Sequence, residues 1–267
     1  EAAECRRRLF DAWNFDLLWG TNDGPVNWGK QGRVTDMGHA VYFADGRDLR
    51  QSKQSPFTTP EEVWEFDPVE EYGLADFDEL IAYYEKIYQS RREATPNQVI
   101  TGGYYKSVVS GAIQTFGWDM LLLAAADTEK FAEVLARFAK YTLHHVKAWA
   151  ETSIEVFIQH DDMVWTSGPF IHPDFYREAI FPHYKTFWTT LKDAGKKVLY
   201  CSDGTIDMFI EDLVDCGTNG FIFEPSNDLE KFVDMCGQTH AIVGSKVDCR
   251  TMAFGTWEEV RKQIDDT

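Results

Sequence analysis

The C-terminal half of the chain alternates short apolar segments with segments of helical periodicity, and this alternation most restricts the fold. The apolar segments predict strands at 98–101, 154–159, 198–200, 220–223 and 241–247. Between them, apolar residues recur three or four positions apart, which is typical of amphipathic helices. Strands that alternate with helices form βαβ units, so the sequence predicts an α/β fold with a parallel sheet.

A (β/α)8 TIM barrel is favoured over an open doubly wound sheet. An open dinucleotide-binding sheet has a glycine-rich turn after its first strand, and neither GxGxxG nor GxxxxGK[ST] occurs in the sequence. Gly102 and Gly103 lack the spacing of a phosphate loop, and we interpret them as a close turn. Because six or seven strands are recognisable, we expect one or two further barrel strands before Glu1 and after Thr267.

Residues 1–267 are predicted to form a single barrel domain, an ordinary outcome at this length. A helix at 4–13 and a strand at 15–19 open the domain. Residues 21–68 are rich in Gly, Asp and Pro and predict turns with short strands around Val34 and at 41–43. A connection of this length is typical of lids and binding loops, so we predict a lid or insertion at 21–68.

The charge and cysteine content argue against several classes of protein. The net charge is -18 and the pI about 4.7, so nucleic acid and anionic membrane surfaces would be repelled, and the one basic cluster, at 6–8, is interpreted as a solvated helix face. Five cysteines, an odd number, exclude a fully paired disulfide framework and indicate a reducing cytoplasm. No apolar stretch reaches the roughly 18 residues that span a bilayer. We expect a cytoplasmic enzyme for a small-molecule substrate, with a homodimer as the default assembly.

Reactive side chains follow four of the predicted strands. In a parallel barrel the carboxyl ends of the strands meet on one face, where catalytic side chains lie. The first group, His160, Asp161 and Asp162, combines adjacent carboxylates, which resist ionising together, with an imidazole that can transfer protons. We predict these three residues to be catalytic. The alternative is that Asp161 or Asp162 caps a turn or pairs with a basic side chain.

The other three strand ends carry thiols and carboxylates. Cys201 and Asp203 are two residues apart, so in an extended strand their side chains point the same way. Glu224 and Cys249 each follow one βα unit further along the chain. Two thiolates with carboxylates suit zinc, and the predicted metal ligands are Cys201, Asp203, Glu224 and Cys249. The alternative is that the two cysteines are small buried hydrophobic residues.

Four residues are predicted to bind the substrate. Asp23 lies in the lid segment, and Tyr104, Tyr105 and Trp165 lie near strand ends. Aromatic residues make up 15% of the chain, and most aromatic residues belong to the core. Those at the mouth of a barrel favour a flat or aromatic ligand, of which a phenyl methyl ether is one example.

Several motifs from about residue 98 onward are shared with a known family. They are His160-Asp161-Asp162, Gly168-Pro169, Pro173-Asp174-Phe175-Tyr176-Arg177, Phe181-Pro182, Gly195-Lys196-Lys197-Val198, Cys201-Ser202-Asp203-Gly204 and Phe254-Gly255-Thr256-Trp257-Glu258-Glu259-Val260. In these motifs the chain resembles the uroporphyrinogen decarboxylase superfamily, which includes porphyrinogen decarboxylases and zinc-dependent methyltransferases that serve corrinoid proteins. The resemblance implies a (β/α)8 barrel, in agreement with the alternation of strands and helices.

The resemblance to each branch of that superfamily is partial. The decarboxylases carry an Arg-Gln-Ala-Gly-Arg motif near the N-terminus, for which Lys30-Gln31-Gly32-Arg33 is the nearest counterpart. The methyltransferases carry His-x-Cys where this chain has Cys201-Ser202-Asp203. What the resemblance implies is a zinc-assisted methyltransferase-like enzyme that acts on a small methylated substrate, with a corrinoid protein or a thiol as acceptor.

Two alternative functions remain open. A porphyrinogen decarboxylase, which is a lyase, would need no metal and would use Asp23 or Asp162 with a basic anchor such as Arg33. A non-catalytic barrel would bind a small ligand between Trp165 and the tyrosines at the end of the strand predicted at 98–101. Turnover assays separate the first alternative from the second.

Overall fold

The computed structural model of the protein describes residues 2–13, 15–37 and 54–267. In this part of the chain six parallel strands form one sheet, in which each strand pairs with the next one along the sequence. The strands are β1 (Leu17–Leu18), β2 (Val99–Tyr104), β3 (Val156–His160), β4 (Lys197–Ser202), β5 (Gly220–Phe223) and β6 (Ala241–Val243).

From β2 to β6, each strand is connected to the next by one to three helices, as the alternation predicts. The helices are α1 (Ala2–Trp13), α2 (Trp28–Gln31), α3 (Pro60–Trp64), α4 (Pro68–Tyr72), α5 (Phe77–Ala94), α6 (Val109–Phe116), α7 (Trp118–Ala124), α8 (Thr128–Ala150), α9 (Pro173–Ala179), α10 (Phe181–Asp193), α11 (Ile210–Cys216), α12 (Leu229–Cys236), α13 (Cys249–Phe254) and α14 (Trp257–Asp266). Among the described helices, none combines the length and the apolar composition needed to cross a membrane.

The predicted α/β fold with a parallel sheet is confirmed. Within the described residues β1 and β6 each pair on one side only, so the six strands form an open sheet that corresponds to part of a barrel. A complete eight-stranded barrel stays a prediction.

The helix predicted at 173–194 is in fact two helices. The backbone leaves the helical region at Ile180 (φ -120°, ψ -55°), between α9 and α10. Pro182 follows in the first turn of α10, where its missing N–H does no harm; inside one continuous helix its ring would clash with the preceding turn. The periodicity of apolar residues continues across this break, and for that reason it predicts one long helix.

Two predicted strands differ from the structure, and a third cannot be compared. The strand predicted at 241–247 ends at Val243. No strand forms around Val34, which is buried in a loop after α2. The strand predicted at 41–43 lies outside the described residues.

Gly102 and Gly103 lie inside β2 and not in a turn, so their interpretation as a close turn is wrong. A Cβ atom on Gly103 would lie 2.6 Å from the carbonyl oxygen of Ile158, and one on Gly102 would lie 2.7 Å from the Trp149 ring. The two glycines therefore let β2 approach β3 on one side and α8 on the other.

The described part of the predicted lid segment is built into the core. Trp28, Phe57 and Phe66 of this segment are buried, and the ring of Trp28 stacks on that of Tyr72 in α4 with centroids 4.3 Å apart. This packing ties α2 and α4 to the main body. The lid function of 21–68 stays a prediction.

The two faces of the sheet bury different cores, because successive side chains of a strand point to opposite faces. One face packs against the helices in a large core that includes Phe157 and Tyr200. The other face buries a small cluster of Ile158, Leu199 and Cys201. The candidate site lies directly above this small cluster.

Candidate active site

The strand register brings the predicted site residues to one face of the sheet. His160 at the end of β3 lies opposite Cys201 in β4. Since side chains two residues apart point the same way, Asp162 follows His160, and Asp203 follows Cys201, on the side of the small apolar cluster. Glu224 follows β5 and lies two residues after Ile222, which packs against that cluster. Acidic and imidazole groups thus converge where three strands end.

Asp162 is the centre of the hydrogen-bond network at this site. Its carboxylate accepts hydrogen bonds from His160 Nε2 (3.0 Å), the Asp203 backbone N–H (2.9 Å) and the Tyr105 hydroxyl (2.8 Å). Its own N–H donates to Ser110 Oγ at 2.8 Å. Burial opposes ionisation of Asp162, but these partners outweigh burial and lower its pKa. Asp162 is therefore ionised at neutral pH, and its hydrogen bonds hold its carboxylate in one position.

His160 forms an ion pair with Asp162. Burial opposes protonation of His160, but the hydrogen bonds to Asp162 and Cys201 prevail and raise the pKa of His160 to about 10. Burial also raises the pKa of the Cys201 thiol, which is neutral at pH 7, so the charge that stabilises the imidazolium is that of Asp162. The Tyr105 ring packs on the imidazole with centroids 4.2 Å apart.

Asp203 is a carboxyl group with a pKa close to neutral pH. Burial, together with the charges of Asp162 and Glu224, raises the pKa of Asp203 to about 6. A carboxyl group with such a pKa can both accept and donate a proton under physiological conditions. The Glu224 carboxylate accepts a long hydrogen bond, of 3.4 Å, from the Gly204 N–H.

The ligand atoms of His160, Asp162 and Asp203 form a group that can hold a metal ion. All three lie within 4.8 Å of one another. Ligand atoms at about 2.0–2.2 Å from one ion lie at most about 4.4 Å apart, so small movements of these side chains would bring the three atoms around a single ion. One imidazole with two carboxylates suits zinc and other divalent cations, provided that the imidazole gives up its proton on binding. The residues therefore fit a divalent cation.

A cavity of about 870 Å³ opens beside these groups at the carboxyl ends of β2, β3, β4 and β5. Part of its wall is acidic and part is aromatic. The lining residues of these two kinds are Asp162, Asp203, Glu224, Tyr105, Trp118 and Trp165. The cavity is large enough for a small organic substrate next to this group of candidate metal ligands.

The four predicted metal ligands are not brought together. Cys201 is buried beneath His160, Asp203 belongs to the group just described, and Glu224 lies on the cavity wall. Cys249 is exposed at the start of α13 and belongs to no group of three ligand-type side chains among the described residues. The predicted strand at 241–247 ends too early to carry Cys249 to the site.

Asp161 points away from the cavity and anchors a helix. Its carboxylate is completely buried and accepts hydrogen bonds from the backbone N–H groups of Val108, Val109 and Ser110 at the start of α6. The Tyr184 hydroxyl donates a further one at 2.7 Å. Burial raises the pKa of Asp161, whereas these donors favour its ionised form. The structure thus favours the capping alternative for Asp161 over a catalytic role.

Asp23 binds the backbone of the segment that carries Tyr105. Its Oδ1 accepts hydrogen bonds from the backbone N–H groups of Tyr105 (2.8 Å) and Lys106 (3.3 Å), and Lys106 Nζ lies 3.9 Å from Oδ2. Of the predicted substrate-binding residues, Tyr105 and Trp165 line the cavity, and Asp23 does not. Asp23 is placed to position the segment that carries Tyr105.

Tyr104 lies on the opposite face of β2 and belongs to the large core. It is completely buried and stacks on His145 of α8 with ring centroids 4.6 Å apart. His145 Nδ1 forms a hydrogen bond of 2.7 Å with the Tyr84 hydroxyl. Burial, with smaller effects from His144 and Lys106, lowers the pKa of His145 to about 3.

His145 should contribute less stability in mild acid than at neutral pH. The unfolded chain binds a proton on this imidazole below about pH 6.5, whereas the folded chain stays neutral there down to about pH 3. Stability from this residue is therefore complete above pH 6.5 and falls by about 2 kcal/mol between pH 6.5 and 5.

Urea unfolding of the wild type and of His145→Gln at both pH values isolates the contribution of His145, because the opposite effect of Asp203, whose pKa is raised, is common to the two proteins. The free energy of unfolding of the wild type relative to His145→Gln should be lower at pH 5 than at pH 6.5 by about 2 kcal/mol. The exposed control His172→Asn should show no such change relative to the wild type; a difference between wild type and His145→Gln that is equal at both pH values would refute this assignment.

Trp118 is a wall residue that the sequence did not reveal. It begins α7 immediately after Gly117, whose positive φ of 72° ends α6. Its ring contacts that of Trp165 with centroids 5.7 Å apart. Trp118 does not follow a strand, so the argument that site residues lie at strand ends could not identify it. The local signal in the sequence is Gly117-Trp118 directly after an apolar helix.

The sequence matches a family model over most of its length. The model for uroporphyrinogen decarboxylase (URO-D) matches residues 34–267. The chain therefore belongs to the uroporphyrinogen decarboxylase family, as the motifs indicate. A comparison with curated proteins finds no match.

Solved structures support the fold. A methyltransferase from Methanosarcina mazei has a TM-score of 0.63 and 16% identity, and the match covers 91% of this chain and 68% of that one. At this identity the similarity establishes the fold alone. A D-psicose 3-epimerase solved in the presence of D-fructose has a TM-score of 0.38 and 12% identity, over 78% of this chain and 69% of that one, and no conclusion is drawn from it.

Proposed function

We propose that the protein is a metal-assisted methyltransferase that moves a methyl group from a small methylated substrate to a thiol or a corrinoid protein. The observation that carries the proposal is the group of His160, Asp162 and Asp203, whose ligand atoms lie within 4.8 Å of one another beside a cavity. Membership of the family and the fold of the Methanosarcina mazei methyltransferase support it. We propose zinc as the metal.

The three ligand residues would hold the metal, and the remaining wall would hold the substrate. A divalent cation in such a position acts as a Lewis acid that stabilises a thiolate or polarises a leaving group. Tyr105 holds Asp162 in place through its hydroxyl, and so keeps the ligand oxygens in a fixed position. Glu224 lies on the cavity wall next to Asp203 and adds a carboxylate beside the space for the substrate.

Metal content and turnover test this proposal together. Protein purified without chelator should contain about one divalent cation per chain by elemental analysis. Chelation should abolish transfer from a panel of methyl ethers and methylated amines to a thiol, measured as thioether, and added zinc should restore it. Absence of stoichiometric metal, with transfer indifferent to chelator, would overturn the proposal.

Porphyrinogen decarboxylation receives less support from the site. Arg33 is held by Glu71 through two hydrogen bonds of 3.0 Å, so its charge already has a partner. Three carboxylates line the cavity, and they would repel a polycarboxylate substrate. The non-catalytic alternative, a barrel that binds a small ligand, would require the cavity but not the metal-binding group.

A further inference from the structure

We propose that the cavity binds a small quaternary ammonium cation, so that the methyl donor carries its methyl group on a positively charged nitrogen. This inference rests on the proposed methyl transfer for its chemistry and deepens it by naming the class of substrate. The aromatic and acidic residues that line the cavity indicate this class of ligand.

The aromatic part of the wall suits a cation. Trp118 and Trp165 line the cavity with ring centroids 5.7 Å apart and planes at 54°. Phe170 contacts both rings, at 5.3 Å and 5.6 Å, and holds them at this angle. Rings that meet at an angle can present their negative faces to one space, which is how proteins recognise quaternary ammonium groups.

The acidic part of the wall adds a charge that the metal would not neutralise. A divalent cation held by His160, Asp162 and Asp203 would balance the two aspartates. Glu224 lies on the wall and has no ion-pair partner within the part of the chain that the structure describes. The lining residues that the structure describes include no Lys, Arg or His. One negative charge would therefore remain, and a monocation would match it.

A neutral ligand or an anion would interact less favourably with the residues that line the cavity. A methyl ether would fill the cavity but gain nothing from the carboxylate of Glu224, and a polycarboxylate would be repelled by it. During transfer from a quaternary ammonium, the C–N bond breaks with its electron pair on nitrogen, which leaves as a neutral tertiary amine. The sulfur of the acceptor thiolate supplies the pair for the new C–S bond, after the thiol proton has passed to the solvent. The leaving group needs no proton.

A pair of probes that differ mainly in charge tests this inference. Choline carries a trimethylammonium group, and 3,3-dimethylbutan-1-ol carries a neutral group of the same shape. Titration calorimetry on the zinc-loaded and the chelator-treated full chain should give at least tenfold tighter binding of choline, weakened by salt. Equal affinities, or no saturable binding of choline, would overturn the inference.

Substitutions in the wall locate the binding. Trp165→Leu should weaken choline binding about tenfold and the neutral probe less, whereas Trp165→Phe should retain affinity within about threefold. Glu224→Gln should reduce only the preference for choline. Trp257→Leu, on the exposed face of α14, is the matched control and should change neither affinity. Unchanged choline binding in Trp165→Leu would place the cation elsewhere and refute the assignment.

The inference and the proposed function can fail separately. If the protein prefers choline but contains no metal and transfers no methyl group, the methyltransferase proposal fails while the cation site stands. If the zinc-loaded protein transfers the methyl group of a neutral ether and binds both probes equally, the cation site fails while the methyltransferase stands.

Discussion

Asp203→Asn should weaken the binding of zinc by about 100-fold or more, because it removes one of the two carboxylates that would share the ion. The substitution keeps the shape of the side chain, and the Asp203 N–H that donates to Asp162 is unchanged. The folded state should therefore survive, with the free energy of unfolding within about 1 kcal/mol of the wild type. Competition with a zinc chelator of known affinity measures the dissociation constant.

A matched control separates this effect from a change in net charge. Asp234→Asn, on the exposed side of α12, alters the charge by the same amount and should leave zinc affinity unchanged. Wild-type affinity in Asp203→Asn would mean that the group of His160, Asp162 and Asp203 is not the metal site.

Asp161→Ala should reduce the free energy of unfolding by about 3–5 kcal/mol, even though Asp161 does not touch the cavity. The substitution leaves three backbone N–H groups of α6 and the Tyr184 hydroxyl without their acceptor in a dry interior. Urea unfolding measures the loss. Such a change consumes much of the 5–15 kcal/mol by which proteins of this kind are stable.

An exposed helix cap provides the comparison for Asp161. Asp228 caps α12 by accepting a hydrogen bond from the Lys231 N–H, and Asp228→Ala should cost only about 1 kcal/mol because water can replace the carboxylate. If Asp161→Ala and Asp228→Ala had the same free energy of unfolding, the large stabilisation attributed to the buried hydrogen bonds of Asp161 would be contradicted.

The strand-end argument predicts the site where side-chain alternation is undisturbed. Asp162 lies two residues after His160 at the end of β3, and Asp203 lies two residues after Cys201, which is paired with His160. Because side chains two residues apart in an extended chain point the same way, all three site residues are predicted to lie on one face. The same rule separates Asp161 from its neighbours, and Tyr104 from Tyr105. Grouping adjacent residues as one cluster therefore overestimated how many of them face the cavity.

Other features depend on packing that local sequence does not encode. β6 ends at Val243, where Gly244-Ser245-Lys246 interrupts the apolar run, and Cys249 therefore lies at the start of a helix and not at a strand end. Trp118 reaches the cavity only because Gly117 redirects the chain between two helices. The predicted parallel sheet is confirmed, and each of its strands pairs with the preceding one, the simplest topology that a parallel sheet can take.

The division between rigid strand ends and aromatic wall matters for engineering. The proposed metal ligands His160, Asp162 and Asp203 lie at the ends of β3 and β4, whereas Trp165 belongs to the loop after β3 and Trp118 to the start of α7. Ligand preference could therefore be redesigned at Trp118 and Trp165 while the reactive groups keep their positions. A library restricted to these two positions should yield proteins that retain metal and stability but differ in the molecules they accept.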